Sequence, residues 1–526
     1  MISLNPNILA APIAIPLITA ALGLPFVRWG WNRAAQWQRR LAAIGVIADL
    51  AVAVTLLVYT LEGNRLVMEM GDWPAPFGIV LVADGLTAIM LTLSGILTAT
   101  TVFYAMGSLD SRARMNYFPL LMFLLMGVNG AFLAGDLFNL YVFFEVLLMA
   151  SFALLTLGGQ IGQINGGIRY VLLNLLASSF FLAAAGLTYG TIGTLNMAHI
   201  AERMPTAPYS IQIFIAGLLL IAFSSKAGLF PVFFWLPSSY HTPHPSVTAL
   251  FGGLLTKVGI YTLFRIYPLI FPHLLQEWQP LILAIAGLTM LTGVFGAMAV
   301  NTIRRVLSFH VISQVGYMVM GLGLAASRDP KLAVFGMSAG ILYLVHHMIV
   351  KTSLLMAGGA AELEVGSGSL LRQQLTGLNK RRPALAVLFF IAAMSLAGVP
   401  PSSGFVSKLS LLQGAVTGNF WLIAAVSLLV SMLTLMSMLR LWQKAFFGAP
   451  TQPLSVNAPM LSAGRRRSIL WSITVLVVLS LSIGIFAGPV FRMASIAGAQ
   501  VMDREGYIAA VHPTDQIIYA GVEHGD

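Results

Sequence analysis

Residues Ser224–Lys257 read SSKAGLFPVFFWLPSSYHTPHPSVTALFGGLLTK and place two lysines, Lys226 and Lys257, inside apolar sequence that otherwise has the composition of two membrane-spanning helices. A charged side chain near the middle of a bilayer costs at least ~3 kcal/mol on insertion scales, so it is usually retained facing a water-filled path, where it carries protons or ions. Pro231 follows Lys226 by five residues. Proline lacks a backbone donor and its ring clashes with the preceding turn, which predicts a helix broken beside its lysine. Helices broken near mid-membrane mark transporter sites.

The surrounding chain fits that reading. Of 526 residues, 58% are hydrophobic and 9% charged, against roughly 25% charged in ordinary globular proteins, and the mean hydropathy is +0.86. These values predict an all-α polytopic membrane protein embedded in lipid. The net charge of +11 does not predict nucleic acid as a partner, because the basic residues are spread over short loops without the aromatic interleaving of an RNA- or DNA-binding patch. The absence of cysteine removes disulfides, thiolate metal sites, Fe–S clusters and thiol nucleophiles together. The N-terminal apolar stretch lacks a positive n-region and is followed by Arg28, Arg33, Arg39 and Arg40, so it is expected to stay in the membrane as a first segment.

At ~20 apolar residues per span, the chain divides into about fourteen segments, centred near residues 17, 51, 96, 125, 147, 178, 222, 258, 289, 317, 346, 400, 433 and 480. Loops after odd-numbered segments hold eighteen Lys and Arg, among them Arg112, Arg114, Arg169, Arg304, Arg305, Arg372 and Arg465 to Arg467. The other loops and the tail hold six: Arg65, Arg203, Arg328, Lys331, Arg492 and Arg504. This asymmetry places the first set in the cytoplasm and both termini in the periplasm.

Five basic residues remain for the segments themselves: Lys226, Lys257, Arg265, Lys351 and Lys408. Arg265 lies near the outer end of its segment and is expected to snorkel to the interface. Glu145, about ten residues into LFNLYVFFEVLLMASF, is the expected ion-pair partner of Lys226. Asp49 is mid-segment without an assignable basic neighbour, and two readings stay open for it: a structural hydrogen bond or a peripheral proton site. Asp84 is expected to cap the start of the third segment. In segment eleven, Tyr343, His347 and Lys351 recur at i, i+4 and i+8 and so line one helix face, a row suited to holding water and passing protons. His346 points about 100° away and is expected to pack or to hydrogen-bond a neighbour.

An internal repeat emerges from the same segments. FEVLLMASFALLTLG at 144–158 lies over FHVISQVGYMVMGLG at 309–323, setting Glu145 over His310. The stretch from Tyr170 lies over that from Tyr343, setting Asn174 over His347 and Ser178 over Lys351; KAGLFP at Lys226 lies over LAGVPP at Leu396, with Lys408 following the second break. An offset of five segments means that the copies cross the membrane in opposite senses. Helices 1–3 are thus assigned to residues 1–110, a first five-helix repeat to 111–272, a second to 273–447, and a connector, the last helix and a tail to 448–526.

His241 and His244 of HTPH lack a carboxylate or cysteine to complete a metal shell; they are expected at a cytoplasmic mouth where protons enter. No phosphate-binding loop, dinucleotide fingerprint or nucleophile elbow is present. The chemistry expected is proton transfer, with no metal or cofactor, in a chain that is not an enzyme. The connector Gly448–Ser462 is expected in the cytoplasm, and the tail after Arg492 reads as polar and uninformative.

GDLFNLYVFFEVLLMASFALL, FSSKAGLFPVFFWLPSSYHTPHPSVTALFGGLLTKVGIYTLFR and SFHVISQVGYMVMGLGL resemble the D subunits of the multisubunit Mrp-type monovalent cation/proton antiporters of bacteria. More distantly, the pattern is similar to the antiporter-like, proton-pumping subunits of respiratory complex I and of membrane-bound hydrogenases. The resemblance implies fourteen helices with two inverted five-helix repeats, helices 7 and 12 broken, and a hydrated polar axis parallel to the membrane. It implies proton translocation by Glu145, Lys226, Lys257, His347, Lys351 and Lys408, within a hetero-oligomer of six or seven different chains in the bacterial inner membrane. A bare monovalent cation needs several oxygen ligands, and the lysine-lined axis offers too few. The cation, Na⁺ or K⁺, is therefore expected to pass through or beside a neighbouring subunit.

Overall fold

The computed structural model describes residues 4–24, 31–109, 116–371, 375–448 and 461–511. Arg28, Arg112, Arg114 and Arg372, most of the connector and the end of the tail lie outside the described residues. Among the described residues twelve helices are long and apolar enough to span a membrane, and two shorter apolar ones complete the expected fourteen. We number them α1 (Ala11–Gly23), α2 (Trp31–Leu61), α3 (Gly85–Ser108), α4 (Tyr117–Leu133), α5 (Leu137–Thr156), α6 (Ile161–Ile192) and α7 (Tyr209–Ala227). The remainder are α8 (Pro245–Ile270), α9 (Gln279–Ala299), α10 (Ile303–Ala325), α11 (Pro330–Val365), α12 (Pro383–Ala397), α13 (Trp421–Ala445) and α14 (Ala463–Ile485). A two-stranded antiparallel hairpin, β1 (Leu66–Glu69) and β2 (Val80–Ala83), precedes α3 with Leu66 opposite Ala83.

Both predicted breaks are present, and they are built alike. α7 stops at Gly228, whose φ of 76° only glycine adopts freely. Its N–H donates to Ser224 and Ser225, and Leu229 N–H donates to Ser224. α12 stops at Gly398, φ 93°, with the same pattern onto Met394 and Ser395, and Val399 donates to Met394. The chain resumes as a short helix at Trp235–Ser239 in the first case and as Ser403–Thr417 in the second. A second pair of matching devices joins the helix ends. Asp136, at the start of α5, bridges to Asn196 beyond α6, and Thr302, at the start of α10, bridges to Ser369 beyond α11. Asn196 and Ser369 fall on the same alignment that sets Asn174 over His347, so the repeat extends into the loops.

α8 is buried along its length, and α10 and α11 nearly so. α11, with 36 residues, is about 54 Å long at 1.5 Å per residue, against a hydrocarbon core of about 30 Å. These three form the centre, with α3 against them. The tail is not featureless. Ala487–Met502 forms a helix against α11 and α3; Gln500 Oε1 accepts from Gly85 N–H at 2.7 Å, and Arg65 pairs with Asp503 at 2.9 Å.

Candidate functional site

Lys226 occupies the last turn of α7. Its Nζ donates to Ser178 Oγ at 3.2 Å and Asn174 O at 3.4 Å on α6, and stands 5.6 Å from the Phe144 ring of α5. The expected direct ion pair with Glu145 is therefore not formed. Phe144 takes the place beside the ammonium, and Glu145, one residue on and about 100° around the helix, faces a surface cavity of about 440 Å³ lined by Leu120, Phe123, Val146, Met149 and Ala150. Glu145 Oε1 has no hydrogen-bond partner among the described residues; the carboxylate stands within electrostatic reach of Lys226 instead.

Lys257 lies just beyond an irregular turn of α8. Residues Phe251–Leu255 form a π-turn, a one-residue insertion that displaces carbonyls from the α-helical ladder. Gly252 O accepts from Lys257 Nζ at 2.5 Å. The glycines admit α11 closely, since a Cβ on Gly253 would collide with Thr352 Oγ1. On α11, His347 and Lys351 are fully buried, and neither the two ring nitrogens of His347 nor Lys351 Nζ has a hydrogen-bond partner among the described residues. His347 lies within electrostatic reach of Lys257, Lys351, His346 and His310.

Tyr343 completes the row by donating to Gln314 and stacking on Tyr317 with centroids 5.0 Å apart. Lys408 Nζ lies 5.1 Å from the Tyr317 ring and donates to Ala397 O and Ser431 Oγ, each at 3.0 Å. The structure thus brings Lys257, His347 and Lys351 together, sets Lys408 beside them across two tyrosines, and leaves Lys226 against α6. Among the described residues no direct hydrogen bond joins one of these lysines to the next. His346 turns away as expected, with Nδ1 2.7 Å from Ser403 Oγ, which continues to Ser480 and Ser395 through hydroxyls 2.9 Å apart.

Sequence reasoning passes over His310. It is fully buried on α10, 2.8 Å from Ser437 Oγ, and within electrostatic reach of both Lys351 and Lys408. Its alignment with Glu145 is the available signal. Gln314 and Tyr317, in the same SFHVISQVGY run, are equally visible as polar atoms in an apolar helix.

The two loop histidines separate. His244 caps α8, its ring nitrogen 2.8 Å from Ser246 Oγ, and lines a cavity of about 250 Å³ with Tyr117, Gln160, Gln163 and Arg304. For His241, burial and then the nearby Arg305 and Arg304 guanidiniums push the pKa down to about 4, which holds the ring neutral near pH 7. Among the described residues no three His, Asp or Glu side chains converge as metal ligands.

Two acidic residues need the fold to be read. Asp84 caps α3 as expected, accepting from Thr87 N–H at 3.0 Å, but it also receives both arms of Arg265 at 2.6 and 2.7 Å. Arg265 therefore does not snorkel. It is 5% exposed, flanked by the Tyr261 and Tyr507 rings, because a carboxylate waits at its own depth. Asp49 is fully buried between α1 and α4, 3.2 Å from Asn129 Nδ2.

Comparison with known proteins agrees with this architecture. The family described as NADH:quinone oxidoreductase/Mrp antiporter, transmembrane, matches residues 134–434. The D subunit of the Na⁺/H⁺ antiporter of Alkalihalophilus pseudofirmus is 41% identical over 96% of this chain and 99% of its own length. A chain of the Mrp complex from Dietzia sp. superposes with a TM-score of 0.86 at 33% identity, covering 96% of this chain and 99% of that one. A chain of an archaeal membrane-bound sulfane sulfur reductase, a respiratory membrane complex, gives 0.86 at 26% identity, covering 96% and 100%. On the family match and the length and identity of the antiporter alignment, the chain belongs to the NADH:quinone oxidoreductase/Mrp antiporter family, among its Mrp-type D subunits.

Proposed function

We propose that this chain is the proton-translocating subunit of a multisubunit monovalent cation/proton antiporter, and that protons move along Lys226, Lys257, His347, Lys351, His310 and Lys408 under the through-space influence of Glu145. The observation that carries this reading is the row His347–Lys351 facing Lys257. These groups are buried without a counter-charge and, for His347 and Lys351, without a hydrogen-bond partner among the described residues. A static scaffold would leave them uncompensated at considerable cost. A relay uses them, because each site passes on what it receives. His244 and its cavity are the proposed mouth on the cytoplasmic side, with both termini in the periplasm and the chain assembled with other antiporter subunits in the bacterial inner membrane.

The test is cation-driven ΔpH, read by fluorescence in vesicles carrying the assembled complex. Glu145→Gln and Lys226→Ala are expected to abolish antiport without loss of the chain from the membrane, and Lys257→Leu to reduce it severely. Lys226→Arg separates two roles, since arginine keeps its proton and cannot relay; activity retained there would mean that Lys226 acts through charge alone. Wild-type rates in Lys257→Leu would remove it from the path. A second reading, a pumping subunit of a complex I-type or hydrogenase assembly, rests on the likeness to the archaeal respiratory complex. ΔpH driven by electron transfer rather than by a cation gradient would favour it.

A further inference from the structure

Asp49 stands apart from the lysine row, near the middle of α2, and is fully buried. The helices around it hold nothing to balance its charge. α1, α3 and α4 contain no Asp, Glu, Lys, Arg or His, their titratable groups being Tyr104 and Tyr117; the tail helix that also touches α2 carries Arg492, which is exposed. Among the described residues Asp49 forms no ion pair, and its hydrogen-bond partner is the neutral Asn129 amide, whose Nδ2 lies 3.2 Å from both carboxylate oxygens.

A third oxygen enters the same space for a reason written in the sequence. The carbonyl of Pro12 would accept, in a regular helix, from the N–H of residue 16. Residue 16 is a second proline inside α1 and has no N–H. Pro12 O is consequently free of the helix, and it sits 2.9 Å from the same Asn129 Nδ2. On its other side Asn129 Oδ1 is 2.7 Å from Ser94 Oγ, which is also 2.8 Å from Leu91 O. Serine has one hydroxyl hydrogen and cannot donate to both. Ser94 therefore accommodates either orientation of the Asn129 amide: as placed, its hydroxyl donates to Oδ1, and after a half-turn Nδ2 donates to Ser94 Oγ while Ser94 donates to Leu91 O. The half-turn also points Oδ1 at Asp49 and Pro12, so that four oxygens converge with no hydrogen among them.

We propose that Asp49, Asn129 and Pro12 O form a binding site for a small monovalent cation, which displaces the proton of the Asp49 carboxyl as the Asn129 amide turns. The exchange balances: a carboxylic acid and an aqueous cation become a carboxylate–cation pair and an aqueous proton, and the buried site is neutral in both states. With the proton bound, Asn129 donates to Asp49 and Pro12. With the cation bound, it contributes an oxygen ligand of the kind such ions take. An Oδ1 put where Nδ2 stands lies 2.9 Å from Pro12 O and 3.2 Å from each Asp49 oxygen, a small cluster that favours Na⁺ or Li⁺ over K⁺.

Infrared difference spectroscopy of the purified assembly at neutral pH, with Na⁺ replacing choline, tests this. Wild type is expected to lose a protonated-carboxyl C=O band and release a proton on adding Na⁺, and Asp49→Asn to lack that band and release one proton fewer. Asn129→Leu is expected to keep the band but to need at least about tenfold more Na⁺, and K⁺ to be the weaker ion in wild type. A wild-type carboxyl band indifferent to Na⁺ overturns the proposal, whatever the variants do. So does an undiminished response in Asp49→Asn, or wild-type Na⁺ sensitivity in Asn129→Leu.

Discussion

At the scale of single residues, charge in an apolar run is legible and partnership is not. Lys226, Lys257, Lys351 and Lys408 announce themselves because lysine is costly in such sequence, and all four are buried or part-buried at helix contacts. The sequence suggests a Glu145–Lys226 pair that the fold does not make, because which of two adjacent side chains, Phe144 or Glu145, meets α7 depends on how α5 is rotated in the bundle. Asp84 and Arg265 are 181 residues apart, beyond any local pattern. That pair carries a prediction. Removing one member of a fully buried ion pair leaves the other charge uncompensated, a loss of about 3–5 kcal/mol, whereas replacing both often costs little. Asp84→Asn should therefore destabilise the purified protein by that amount in thermal unfolding, and Asp84→Asn/Arg265→Gln should recover most of it.

At the scale of elements, the count of helices and both breaks can be read from length, hydropathy and the A-G-x-x-P or A-G-x-P signatures of AGLFP and AGVPP, because glycine and proline act on their own turn. The π-turn cannot. Its residues, FGGLL, carry two glycines that loosen a helix without specifying an inserted residue, and α11 packs directly on the turn. This predicts a paired genetic result. Gly253→Ala drives a methyl into Thr352 Oγ1, but leaves it 3.3 Å from Thr352 Cβ. Alone, the substitution should displace α11 from the turn and lower antiport severely. Adding Thr352→Ala removes the colliding oxygen and should restore much of the activity, as read by cation-driven ΔpH; failure of the double variant to recover would separate the turn from the function of Lys257.

At the scale of the whole molecule, the repeat is legible because its two copies keep the same proline-marked break and matching apolar stretches, and the structure adds matching inter-loop bridges. The tail is not, since Ala487–Met502 mixes polar and apolar residues and acquires its meaning from the groove between α3 and α11. The proposed path is rich in proton carriers and poor in oxygen ligands, and the oxygen cluster at Asp49 lies off it. Reconstituted alone, the chain is accordingly expected to show no Na⁺- or K⁺-dependent change in internal pH, with exchange appearing when the other antiporter subunits are supplied; robust exchange by the isolated chain would place a cation path inside it. The bond from Gly85 N–H to Gln500, across 415 residues, also sets a clock. Synthesis at about 5–20 residues per second brings Arg265 to Asp84 on the order of ten to forty seconds after Asp84 itself is made, and Gln500 to Gly85 on the order of twenty to eighty seconds after Gly85. Until then the Asp84 carboxylate is held only by the Thr87 N–H of its own turn and the Gly85 amide awaits Gln500, so the head of the third helix is completed only after most of the chain has been made.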